Sequence, residues 1–109
     1  MSDVRNAAPD LEIVDTLAPL HPGEVLREEF LKPHGLSAGK VAKALGVPRT
    51  RIERVEREEI GITTDTAVRL GIYFGTTTQF WLNLQARYDA ESSQATREAL
   101  AAVIEPLPA

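Results

Sequence analysis

The chain has no cysteine, one tryptophan, one methionine and two histidines in 109 residues. Without thiols there is no disulfide, no thiolate metal site and no thiol nucleophile, and a reducing compartment suits the protein. His21 and His34 bracket one short helical stretch with no acidic partner at ligand spacing. They read as a loop residue and a capping residue, and no metal is expected. No stretch approaches the roughly 20 apolar residues that span a bilayer, and the N-terminus lacks a basic start followed by an apolar run, so a cytoplasmic protein without a membrane contact is expected. Also missing are a glycine-rich phosphate loop, an internal repeat and any grouping of His, Ser and carboxylates suited to catalysis. Neither an enzyme nor a cofactor carrier is implied.

What remains is enough for one small domain with a modest aliphatic core. It is organised around Ser37 to Glu58, SAGKVAKALGVPRTRIERVERE. Ser37 suits an N-cap, and Val41, Ala42 and Leu45 fall on one apolar face. Gly46 can take the left-handed conformation that closes the helix, Val47 can pack back into the core, and Pro48 suits the first position of a second helix. In that second helix, at about 100° per residue from Arg49, Ile52 and Val55 lie at about 300° and 240°, opposite Thr50, Glu53, Arg54 and Arg57. One side is anchored by β-branched residues and the other is long, polar and rich in arginine. A helix, a glycine turn and a basic-faced helix are the sequence form of a helix-turn-helix whose second helix enters the DNA major groove.

Charge supports that reading over a plain helical hairpin with a solvated face. Residues 37–57 carry Lys40, Lys43, Arg49, Arg51, Arg54 and Arg57 against Glu53 and Glu56, a local excess of four positive charges. The whole chain is −4, so the remainder carries eight net negative charges. A basic island in an acidic protein marks a phosphate-facing surface, provided the acidic remainder faces away.

Around this centre, residues 1–20 are acidic and proline-bearing and read as a mobile tail. HPGEVLREEFLKPHG, from His21, predicts a helix over Pro22 to Leu31 with Val25, Leu26 and Phe30 on its apolar side and Glu24, Glu28 and Glu29 opposite. After the central pair, Thr64 or its neighbour caps a helix in which Ala67, Leu70 and Phe74 repeat, ending at Gly75. Thr76 or Thr77 caps the next, Thr76 and Gln79 having capping-box spacing, and Trp81, Leu84 and Tyr88 form a core stripe. Residues 91–109 add a short helix with Leu100, Val103 and Ile104 that needs a surface, either its own domain or a partner.

Three motifs together, HPGEVLREEF at 21–30, the helix-turn-helix at 37–58 and GITTDTAVRLGIYFGTTTQFWLNLQARYD at 61–89, resemble the HigA-type antitoxins of the XRE helix-turn-helix class. The resemblance implies an all-α fold: a compact five-helix, lambda-repressor-like domain over 21–90, between the tail at 1–20 and the extension at 91–109. It implies a homodimer that represses its own operon by binding operator DNA, and that neutralises a small basic toxin of the HigB/RelE-like kind, which cleaves mRNA on the ribosome. Carried over position by position, base reading falls to Arg49, Thr50 and Arg54 and phosphate contact to Lys43, Arg51 and Arg57. Arg49 or Arg54 is the expected reader of guanine.

One departure from the family stands at the groove. Where relatives tend to have a small polar residue, then a glycine and a basic residue, this chain has Glu53, Glu58 and Glu59. Glu53 either accepts from a cytosine amino group or orients Arg49 or Arg57 through i−4 and i+4 pairing; Glu58 and Glu59 either point away or weaken DNA binding. A stand-alone XRE regulator without a toxin and a protein-interaction module that has lost DNA binding are the competing readings.

Overall fold

The computed structural model describes residues 18–109, so the tail expected over 1–20 falls, except for its last three residues, outside the described part. Every regular element among the described residues is helical. Helix α1 (Pro22–Val25) runs directly into a π-helical segment (Leu26–Leu31). Then follow α2 (Ala38–Leu45), α3 (Arg49–Glu56), α4 (Thr64–Phe74), α5 (Thr78–Ser92) and α6 (Gln94–Ala101). The all-α, five-helix plan with a short C-terminal helix is therefore the one that forms.

The first helix has the predicted extent but not the predicted winding. The Lys32 N–H bonds to the Arg27 carbonyl, five residues back, at 3.0 Å. Residues five apart share a face in a π-helix, whereas in an α-helix they are separated by about 140°. The wider turn lets Leu26 and Leu31 both reach the core, each at most 2% exposed. It also seats Phe30 against Phe74 and Trp81, with ring centroids 4.9 and 5.1 Å apart.

The caps follow from the side chains that flank each helix. Ser37 accepts from the Lys40 N–H at 3.1 Å to start α2, and Gly46, at φ 73°, closes it. Pro48 stands one position earlier than expected. Its ψ of 143° is extended, so it is the N-cap of α3 and Arg49 is the first helical residue. Thr63, the neighbour of Thr64, caps α4, and Gly75 ends that helix. Thr77 caps α5, accepting from the Phe80 N–H at 2.9 Å. The Thr76–Gln79 capping box does not form, because the Thr76 hydroxyl accepts the indole N–H of Trp81 at 2.8 Å instead. That bond satisfies the one polar atom of a fully buried tryptophan.

Around Trp81 the core collects Leu26, Leu31, Val41, Leu45, Ile52, Val55, Ile62 and Leu70, so the π-helical segment and each helix from α2 to α5 contribute. Large apolar side chains of this kind add roughly 1.5–3 kcal/mol each when fully buried. Gly23 marks the closest approach. A Cβ there would lie 1.8 Å from the Val55 carbonyl oxygen, so only glycine lets α1 press on the end of α3. The connection from α3 to α4 is held by Gln85 of α5, whose Oε1 accepts from the Ile62 N–H at 2.7 Å. Helix α6 touches α5 and buries none of its residues; Leu100, Val103 and Ile104 stay exposed.

Candidate nucleic-acid interface

Helices α2 and α3 are joined by the Gly46–Pro48 turn, with Val41, Ala42 and Leu45 of the first and Ile52 and Val55 of the second buried. Val47 returns to the core edge, its N–H bonded to the Ala42 carbonyl at 3.0 Å. With Ile52 and Val55 turned inward, the other positions of α3 face out as the helical period requires. Thr50 is exposed, as are the side chains of Arg49 (71%), Arg54 (53%) and Arg57 (60%). Thr50, Arg54 and Arg57 follow one another at i, i+4 and i+7, which sets them along one ridge. Lys43 is exposed in the last turn of α2.

Arg51 is placed differently from the rest. Its guanidinium donates to the Asp65 carboxylate in the first turn of α4. Asp65 also receives Arg69 at 3.0 Å, and Arg69 donates onward to the Leu45 carbonyl at the end of α2, at 2.7 Å. Arg51, followed by Arg69, holds the Asp65 carboxyl below the usual carboxylate range. Arg51 thus joins the helix-turn-helix to α4, on a different flank from the Thr50–Arg57 ridge.

The remaining arginines of α3 also have acidic neighbours. Glu53 pairs with Arg49 at 3.3 Å, the i−4 option of the two open to it. Glu59 lies between Arg54 and Arg57, 3.6 and 3.4 Å from their Nε atoms. Glu58 turns away towards Arg27, 3.1 Å distant. Arg27 in addition donates to the Glu56 carbonyl at 2.6 Å, satisfying a carbonyl at the end of α3. Residues 58 and 59 are brought there by a Schellman turn. Glu58 N–H bonds to Val55 O at 2.9 Å and Glu59 N–H to Arg54 O at 2.8 Å, with Glu58 at φ 63°. Arg27, Asp65 and Arg69 were not among the predicted site residues, because each reaches the helix-turn-helix from another element, Arg27 and Asp65 at α3 and Arg69 at the end of α2; Glu59, noted at the groove from the sequence, is the acidic residue that the turn returns onto Arg54 and Arg57.

Among the described residues no cluster of acidic and histidine side chains could hold a metal ion, and no helix is long and apolar enough to cross a membrane. His21 accepts from the Gly23 N–H at 2.8 Å as the N-cap of α1, and His34 Nδ1 meets the Phe30 carbonyl at 2.8 Å. Both are engaged in helix ends.

Residues 28–81 match the family described as helix-turn-helix. Virulence-associated protein I of Dichelobacter nodosus is 51% identical over 85 residues, covering 78% of this chain and 79% of its own. The solved structure of Pseudomonas aeruginosa antitoxin HigA with the higBA promoter is 44% identical, with a TM-score of 0.77 over 83% of this chain and 99% of that one. The chain belongs to the HigA-like group of XRE-type helix-turn-helix proteins. A second solved structure, antitoxin GraA in complex with its operator, is 41% identical, with a TM-score of 0.79 over 85% of this chain and 95% of that one. Within this HigA-like chain, the left-handed position that favours glycine is filled by Glu58, and the position after it carries a negative charge.

Proposed function

We propose that this protein is the antitoxin of a type II toxin–antitoxin pair, a homodimer that represses its own operon through α3 and neutralises a small basic toxin of the HigB/RelE-like class. The observation that carries the DNA half of this reading is the ridge of Thr50, Arg54 and Arg57 with Arg49 beside it, exposed on a helix whose opposite face is locked into the core. Two relatives of like fold, HigA and GraA, were solved with promoter or operator DNA. In this reading Arg49, Thr50 and Arg54 contact base edges, with Glu53 setting the pose of Arg49, and Lys43, Arg51 and Arg57 contact phosphate. The DNA-binding unit is residues 21–90, and residues 91–109 offer their exposed leucine, valine and isoleucine to a second chain. A cytoplasmic protein that binds DNA and a toxin needs no cofactor and no catalytic group.

The test is to express the gene with its native neighbours and purify the protein through a tag. Co-purification of a small basic product that is toxic alone supports the antitoxin reading. A solitary dimer that binds the upstream DNA favours the stand-alone regulator instead.

A further inference from the structure

We propose that Glu59 is a specificity determinant of the DNA face, an internal anion that steers Arg54 towards bases and away from phosphates. This rests on the DNA-binding reading above and deepens it. Glu59 stands between the Nε atoms of Arg54 and Arg57, at 3.6 and 3.4 Å, and all three side chains are at least half exposed. Pairs this exposed contribute little to folding stability, so stability does not account for the arrangement. The turn itself is held by the Glu59 N–H on the Arg54 carbonyl, a bond any non-proline residue makes there.

The position of the contact on each guanidinium decides its effect. The nearest approach of Glu59 to Arg54 is an ion-pair contact at Nε, and among the described residues no hydrogen-bond acceptor takes the two terminal nitrogens, the pair that a guanidinium presents to guanine O6 and N7. A phosphate approaching the same arginine meets the Glu59 carboxylate as well, and must share or displace it. Non-specific binding is supplied by phosphate contacts alone, so it bears the whole of this penalty, whereas base readout is left open. Glu59 therefore lowers affinity for bulk DNA more than for the cognate site. Because freeing the carboxylate from two arginines recruits a cation, it also flattens the salt dependence of non-specific binding.

The experiment compares the full-length wild type, Glu59→Gln and Glu91→Gln on two duplexes of equal length, one from the region upstream of its own gene and one of random sequence, across a salt series. Glu91 pairs with Arg87 on α5, so its substitution removes the same charge away from α3. The expected result is that Glu59→Gln tightens the random duplex about two- to fivefold and steepens its salt slope by about one, while the upstream duplex gains clearly less. Glu91→Gln should do neither. An equal gain on both duplexes, the same gain from Glu91→Gln, or no change in the random duplex overturns the inference while leaving DNA binding intact. Failure of all three proteins to bind either duplex overturns both.

Discussion

Arg27, in the π-helical segment, donates to the Glu56 carbonyl at 2.6 Å and so ties the first helix to the end of the third, 29 residues later in sequence. Its second arm pairs with Glu58 at 3.1 Å. Arg27→Ala should destabilise the protein by about 1.5–3 kcal/mol, the range for a hydrogen bond with a charged partner. Arg27→Lys should recover less than half, because one ammonium cannot reproduce the fork. Urea denaturation of the two variants measures this directly.

Gly23 should tolerate no side chain. In Gly23→Ala the new carbon would collide with the Val55 carbonyl, forcing α1 off α3, and the loss should be about 3 kcal/mol. Gly35→Ala makes a useful contrast. No atom stands near its Cβ position, so its cost comes from the positive φ alone and should be about 1 kcal/mol. Thermal melting should separate the two variants clearly.

His21 should make stability depend on pH. Burial lowers its pKa from 6.5, with Glu58 and Asp89 opposing the shift and Arg27 adding to it. The neutral ring is the form that accepts the Gly23 N–H. With the folded value depressed, the contribution is fully present above pH 6.5 and is lost as pH falls through the lowered folded value, since the unfolded chain takes up the proton first. Unfolding free energies from urea titrations at pH 8 and downward should decline below about pH 6.5, with a slope of at most about 1.4 kcal/mol per pH unit. In His21→Asn, which keeps a capping side chain, that part of the decline should vanish.

On DNA, Arg49→Ala or Arg54→Ala should each cost about 1–3 kcal/mol and relax the sequence preference at one position. Lys43→Ala should weaken every sequence alike and reduce the salt slope by about one. Binding isotherms on the upstream duplex and its single-base variants would distinguish these behaviours.

The elements that were legible in the sequence are those whose determinants are local. Ser37, Gly46, Gly75 and the Thr76–Thr77 pair announced helix ends, and the spacing of Ile52, Val55 and Trp81 announced their burial, because capping and periodicity act within a turn or two. The π-helical winding was not legible. It is chosen by where Leu26 and Leu31 must both go, which depends on helices not yet placed. The choice of Thr77 over Thr76 as cap was decided by the buried indole of Trp81, which claims the Thr76 hydroxyl. Of the two courses open to Glu58 and Glu59, pointing away or standing at the groove, Glu58 takes the first and Glu59 the second; a left-handed turn at a glutamate contradicts the preference of its residue type, so that split was not legible.

The carbonyl of Val55 against Gly23, and Gln85 on the Ile62 N–H a few residues further along the chain, also bear on what association costs. The end of α3 is packed on Gly23 and the connection after it is held by Gln85, so the ordering entropy of this stretch is lost when the chain folds, before any partner arrives. In the proposed DNA-binding role, encounter with a duplex then asks little reordering of the backbone of α3, and what is left to order is the set of exposed arginines.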